Sequence, residues 1–210
     1  MYEPKCVVTT DAEGRTVIPA VIERSPSMTM ATHASSGAVD VSPKRDAAGH
    51  VKMFDDSTLA IPDRPGNHRF DSVLDILETG RVGLLVLVPN RLEVVRVGGR
   101  ARAVRDAQLC VSVAVDGKVP DFAIAVHVEE AFCQCSKRVI RSNLRHPEKA
   151  VSVAGLPTCG CTLKDHGDLA VPLEEVERFT EGNLNIGFTT NNLDVRLRSN
   201  RYSAASTGAA

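Results

Sequence analysis

Residues 39–72 constrain this chain more than any other stretch. They read Val39-Asp40-Val41-Ser42-Pro43-Lys44-Arg45-Asp46, a short polar loop, then Thr58-Leu59-Ala60-Ile61-Pro62-Asp63-Arg64-Pro65-Gly66-Asn67-His68-Arg69-Phe70-Asp71-Ser72. Each half is a short apolar strand that runs into a polar, basic, proline-punctuated end. The first end carries Ser42, Lys44 and Arg45. The second carries Arg64, Asn67 and Arg69, just before a helix expected from Phe70. Hydroxyls, amides and cations at strand ends beside a helix N-terminus suit a phosphate group. Two surface turns with solvated charges would use the same residues, because Gly, Pro, Asn and Asp make turns for purely local reasons. The pattern alone leaves both open.

The flanking sequence supplies more strands than helices. Residues 1–16 have no clear period. Residues 18–24 suit a short helix, with Pro19 in its first turn and Val21 and Ile22 inward. Strands are expected at 27–32, with Met28 and Met30 on one face, and at 38–42, 49–54 and 58–62. Residues 70–79 show the clearest helical spacing, with Phe70, Val73, Leu74 and Leu77 at i, i+3, i+4, i+7 and Gly80 closing it. Residues 82–88 are apolar without alternation, which predicts a strand buried on both faces. A long strand over 92–104 is interrupted by Gly98-Gly99, a pair that suggests a bulge.

Residues 106–115 suit a helix capped by Asp106. Residues 122–135 alternate, with Phe122, Ile124, Val126, Val128 and Phe132 as the core face. A helix follows Ser136 through Leu144, with Val139, Ile140 and Leu144 inward. Residues 150–165 look irregular. Residues 171–180 suit a helix with Leu173, Val176 and Phe179 on one stripe, 193–198 alternate like a strand, and 199–210 read as a disordered tail.

The chain has 210 residues, with 25 Lys and Arg against 26 Asp and Glu. That near-neutral balance argues against nucleic acid or an anionic membrane as a partner. No apolar run approaches the ~20 residues of a membrane helix, and the N-terminus lacks a signal layout, so a cytoplasmic location is expected. Six Cys in a chain of this length do not make a disulfide scaffold. Cys133/Cys135 and Cys159/Cys161 have Cys-x-Cys rather than zinc-type spacing, so no metal site is expected. None of the six His sits in a metal or nucleophile motif, and the glycine-rich nucleotide loops and the Gly-x-Ser-x-Gly elbow are missing.

The order Asp-Val-Ser-Pro-Lys at 40–44, Asp-Asp-Ser-Thr-Leu-Ala-Ile-Pro-Asp-Arg-Pro-Gly-Asn at 55–67 and Arg-Phe-Asp-Ser at 69–72 resembles the pyridoxamine phosphate oxidase-like flavoproteins. The likeness continues through 81–88, Val95-Arg96-Val97-Gly98-Gly99-Arg100-Ala101, Ser136-Lys137-Arg138 and Leu156-Pro157-Thr158, and covers residues 17–165. It is strongest to a bacterial branch of FMN-dependent enzymes without an assigned substrate. The resemblance implies a mainly β (α+β) fold, a six-stranded FMN-binding split β-barrel with peripheral helices. It also implies a homodimer holding FMN at its interface and a small organic substrate oxidised or reduced there.

Carried over by resemblance, Lys44, Arg64, Asn67 and Arg69 lie on the phosphate side of the flavin. Ser42, Pro43, Ile61, Pro62 and Asp63 line its ring and ribityl chain, and Arg96 matches an arginine of the family's Gln-Val-Arg-Val strand. Lys137 and Arg141 fall in a segment the family uses near the flavin and subunit boundary. The chain departs from the pattern at Val94 in place of the Gln, at Arg45 where relatives often have Gly, and at 47–50, where Ala-Ala-Gly-His replaces a Pro-Pro-Gly-Phe type of turn. Alternatives are a split barrel for haem or a deazaflavin, a flavin-storage or sensor dimer, and a scaffold that has lost its flavin. The domain expected is residues 1–165, followed by a helical extension at 166–198 packed on it and a tail at 199–210. No side chain is singled out as a catalytic acid or base.

Overall fold

Period-two alternation builds the sheet that dominates the computed structural model, which describes residues 17–64, 69–134, 136–143 and 146–185. The seven strands are β1 (Ser27–His33), β2 (Val39–Arg45), β3 (Lys52–Met53), β4 (Thr58–Pro62), β5 (Arg81–Leu87), β6 (Val94–Val104) and β7 (Ala123–Gln134). All pairings are antiparallel, in the order β2-β1-β5-β6-β7-β4-β3. The mainly β fold is as expected, while the structure has seven strands in a sheet that is not closed, so the expected six-stranded barrel is not confirmed. Among the described residues no backbone ladder closes β2 onto β3.

One face of this sheet is the core. Met28 and Met30 of β1, Leu84 and Val86 of β5, Val95 and Val97 of β6, Val126 of β7 and Leu59 of β4 are all buried. They follow the register across the strands, with Met30 opposite Leu84, Leu84 opposite Val97 and Leu59 opposite Val126. Helix α1 (Val17–Glu23) adds Val21 and Ile22 to this cluster, as expected, and Ile18 with them. Helix α3 (Ala107–Ser112) covers a second, small patch on the opposite face, where Leu109 and Val113 meet Ala60 and Ala123. The Asp106 carboxylate caps α3 by accepting from the Leu109 amide at 2.8 Å.

Three expectations about faces need correction. Strand β5 is not buried on both sides: Val82, Leu84 and Val86 are buried, whereas Gly83, Leu85 and Leu87 are only half-buried. In β7 the bulge opposite Gly98/Gly99 inserts Glu129 as an extra residue. That reverses the parity of everything after it, so Ala131 points into the core and Phe132 does not. Helix α2 (Asp71–Thr79) buries Ser72, Asp75 and Ile76, while Phe70, Leu74 and Leu77 stay exposed. Polar docking decides this orientation. The Thr32 hydroxyl donates to Asp75 Oδ2 at 2.7 Å within the core, and Ser35 bonds Glu78 at 2.8 Å.

By contacts the chain divides into Met1–Arg64 with His68–Ala150, and Pro65–Asn67 with Val151–Ala210. The first unit holds the sheet, α1 to α3 and α4 (Lys137–Arg141), which buries Val139 but leaves Ile140 exposed. In the second, the stretch expected to be irregular contains α5 (Cys159–Gly167), capped by Thr158. It packs on α6 (Leu173–Asn185) closely enough that a Cβ at Gly160 would meet Glu177 at 2.6 Å. Val176 is buried in α6 and Phe179 is exposed. The segments expected at 1–16, 193–198 and 199–210 lie outside the described residues.

Candidate functional site

Alternation along β2 sorts its side chains into two sets. Val39, Val41, Pro43 and Arg45 are exposed on one face, and Asp40, Ser42 and Lys44 are half-buried on the other. The second set shares the core side of the sheet, because Met30 is opposite Ser42 and Met28 is opposite Lys44. The Lys44 ammonium donates to Ser42 Oγ at 2.8 Å. Burial pushes Lys44 below the usual lysine range, and the carboxylates of Asp40 and Asp63 work against that shift. Asp63 shows the converse: burial raises its carboxyl, and Lys44 opposes the rise. Lys44 and Asp63 therefore face each other electrostatically, although β2 and β4 stand first and sixth in the sheet.

Backbone and side-chain bonds hold this seam. The Asp63 amide donates to the Phe122 carbonyl at 3.2 Å, which fixes the exit from β4. Arg64 donates from Nε to Asp46 Oδ2 and from Nη2 to the Val113 carbonyl at 3.0 Å. Against its own desolvation, that guanidinium holds the Asp46 carboxyl below the usual range. His50 sits beside the pair, 3% exposed, with Nδ1 3.0 Å from the Ala47 carbonyl. Its Nε2 has no hydrogen-bond partner among the described residues. Burial, and secondarily Arg64, lower its pKa.

The other end of the seam is the start of α2. Phe70 offers no side-chain cap, so no side chain satisfies the first-turn amides of α2 from the cap position. Ser72 Oγ donates to Asp40 Oδ2 at 2.7 Å, which ties this turn to β2. Arg69 pairs with Asp71 at 2.7 Å on the surface. A strip thus runs from Arg69 and the N-terminus of α2 through Asp40, Ser42 and Lys44 to Asp63. It offers two cations, a hydroxyl and the positive end of a helix dipole, donors that suit a phosphate, and it also carries the carboxylates of Asp40 and Asp63 beside Lys44 and of Asp71 paired with Arg69.

The structure brings together Ser42, Lys44, Asp63 and Arg64, with Arg69 at the rim. It does not bring Arg96 to them. Arg96 is exposed on the opposite face of the sheet and lies over the Phe132 ring, 4.9 Å from its centroid. Ile61 points into the core, 2% exposed, and Pro62 is buried, so in this chain either could meet a ligand only through its backbone. Pro43 faces outward, while Lys137 and Arg141 are exposed on α4. Asn67 lies outside the described residues. Asp40, Asp46, His50 and Ser72 were not singled out from the sequence. Of these, Asp40 was legible, since it shares the parity of Ser42 and Lys44.

A family profile described as pyridoxamine 5'-phosphate oxidase matches residues 16–134, and the chain belongs to that family. No curated protein matches the chain in sequence. Among solved structures it is similar to HupZ of Group A Streptococcus, at 19% identity and a TM-score of 0.46, over 55% of this chain and 90% of that one. It is also similar to an FMN-binding protein from Syntrophomonas wolfei, at 14% identity and a TM-score of 0.42, over 56% and 84% of the two chains. General Stress Protein 26 from Bacillus anthracis matches at 15% identity and a TM-score of 0.42, over 55% and 89%. Among the described residues no helix is long and apolar enough to cross a membrane, and no cluster of His, Cys, Asp or Glu could hold a metal ion.

Proposed function

We propose that this protein is an FMN-dependent oxidoreductase that acts on a small organic substrate, works as a homodimer and resides in the cytoplasm. The observation that carries this reading is the strip between the uncapped start of α2 and Lys44, together with membership of the family. Lys44, Arg69, Ser42 and the first-turn amides of α2 would hold the phosphate end. Asp63 and the backbone at 61–63 would face the ribityl chain and ring. FMN would supply two-electron redox chemistry there, and the chain would set its orientation and its access to substrate.

A second reading, a scaffold that has lost its flavin, is favoured by one specific observation. Arg64 already donates its Nε–H to Asp46 and one Nη2–H to the Val113 carbonyl, so its charge is met by a carboxylate of the chain and its orientation is fixed without a phosphate. The absorption spectrum of the purified protein separates these readings. Bands near the ~370 and ~450 nm of free flavin support FMN. A Soret band would replace FMN with haem, and a colourless protein that takes up no added FMN would leave the scaffold reading standing. Bound flavin that turns over no tested substrate would make the protein a store or a sensor.

A further inference from the structure

The turn between β2 and β3 buries a titratable ring where the related turn has an apolar one. His50 stands at the Phe position of the Pro-Pro-Gly-Phe type of turn, and it is only 3% exposed. Unlike Phe, it carries two ring nitrogens inward. Nδ1 lies 3.0 Å from the Ala47 carbonyl, which can only accept, so Nδ1 carries the proton of the neutral ring. Nε2 is then a bare acceptor, buried and without a partner among the described residues. A buried polar atom left unmet in a folded chain calls for an explanation.

The charges around the ring supply one. On its own turn stands Asp46, whose carboxylate accepts from Arg64 Nε. From the exit of β4 comes Arg64 itself. Helix α1 and strand β3 also lie against this turn, since a Cβ at Gly49 would sit 3.6 Å from the Glu23 carbonyl oxygen and 3.7 Å from Lys52 Nζ. Glu23, Arg24 and Lys52 are themselves exposed. His50 is thus flanked by one carboxylate and one guanidinium that already hold each other. Burial keeps the ring neutral, the Ala47 carbonyl and Asp46 work against that, and Arg64 works with it. A proton on Nε2 would set two cations on one carboxylate. Arg64 is the cation with somewhere else to go, because Asp63 interacts with the charges of both Lys44 and Arg64, which places Arg64 beside the strip. We infer that His50 is a positioning residue for the phosphate end of the site: its protonated ring takes over Asp46 and releases Arg64 toward a phosphate beside Lys44. The inference rests on the flavin reading proposed above and adds a proton to it. That proton comes from solvent and returns there when Arg64 pairs with Asp46 again. Binding of FMN therefore takes up a proton on His50, and binding of riboflavin does not.

Fluorescence titration of FMN and riboflavin into the full chain, from about pH 7.5 to about pH 5.5, tests this for the wild type, His50→Phe and His50→Asn. Phe restores the residue of the related turn, and Asn keeps a donor for the Ala47 carbonyl. The FMN phosphate itself titrates at about pH 6, so the readout is the ratio of wild-type to variant affinity, from which that titration cancels. As pH falls, the ratio for FMN should rise toward about tenfold, the linkage that follows when binding raises the His50 pKa by about one unit. The ratio for riboflavin should stay flat. In an Arg64→Ala background the ratio for FMN should be flat as well. A flat FMN ratio with Arg64 present, a rise shared by riboflavin, or a rise that survives without Arg64 would overturn the role of His50 and leave the flavin reading standing. A chain that binds neither flavin at any of these pH values would overturn both.

Discussion

The two faces of the sheet obey different rules. On the inner face the apolar residues of five strands close on one another, and Met30, Leu59 and Val126 are fully buried. On the outer face the same alternation leaves Val39 and Val41 exposed and sets Gly83 opposite Gly98. The apolar part of the inner face is closed within one chain, and its polar exceptions, Thr32, Ser72 and Asp75, bond one another or their neighbours. The outer face is covered by α3 only at Ala60 and Ala123 and keeps Val39 and Val41 open to solvent. Stability should therefore follow the inner face far more than the outer one.

The sharpest way to break this comparison is to truncate one residue on each face. Met30→Ala should cost about 2–5 kcal/mol in urea unfolding, the range for a cavity in a packed core. Val41→Ala, measured where the chain is monomeric, should stay within about 0.5 kcal/mol. Equal costs would mean that the outer face is packed by the chain's own residues. A smaller effect is expected from Asp75→Ala, which leaves the buried Thr32 hydroxyl without its acceptor. A loss of about 1–3 kcal/mol is expected, and no loss would mean that α2 is not held by its polar docking.

The smallest expected effect is a slope. Burial lowers the His50 pKa from 6.5, so the folded protein favours the neutral ring. The unfolded chain binds the proton more readily, so this contribution is present above about 6.5 and is lost as pH falls toward the folded value. Urea midpoints of the wild type should drop across that window more steeply than those of His50→Asn, which keeps a donor for the Ala47 carbonyl. Parallel curves would show that Asp46 compensates for the proton.

The sequence made the inner face legible and misplaced much of what lies beyond it. Spacing at Met28, Met30, Val21 and Ile22 predicted burial correctly, because alternation and helical period report which side faces the core. Helix α2 defeated the same logic. Phe70, Leu74 and Leu77 form a proper apolar stripe, yet the pairs Thr32–Asp75 and Asp40–Ser72 turn the helix so that Ile76 is buried instead. Those pairs join residues 43 and 32 positions apart, which no local period can show. Phe132 was assigned to the wrong face because a bulge shifts parity by one residue. Gly98-Gly99 signalled that bulge, but the extra residue sits on the opposing strand. At the candidate site, parity alone grouped Ser42 with Lys44. The commitment of Arg64 to Asp46 needed the fold, since it joins the ends of two strands that the sheet order keeps apart.

The central claim is that the strip from Arg69 and the start of α2 to Lys44 receives a phosphate-bearing flavin. Fluorescence titration of FMN and riboflavin into the wild type, Lys44→Ala and Arg69→Ala tests it most directly. Each substitution should cost FMN about 1.5–3 kcal/mol, roughly 10- to 150-fold in affinity, because one charge-assisted contact to the phosphate is lost. Riboflavin, which has no phosphate, should bind the variants and the wild type alike. FMN and riboflavin losing affinity equally, or FMN indifferent to both substitutions, would contradict it.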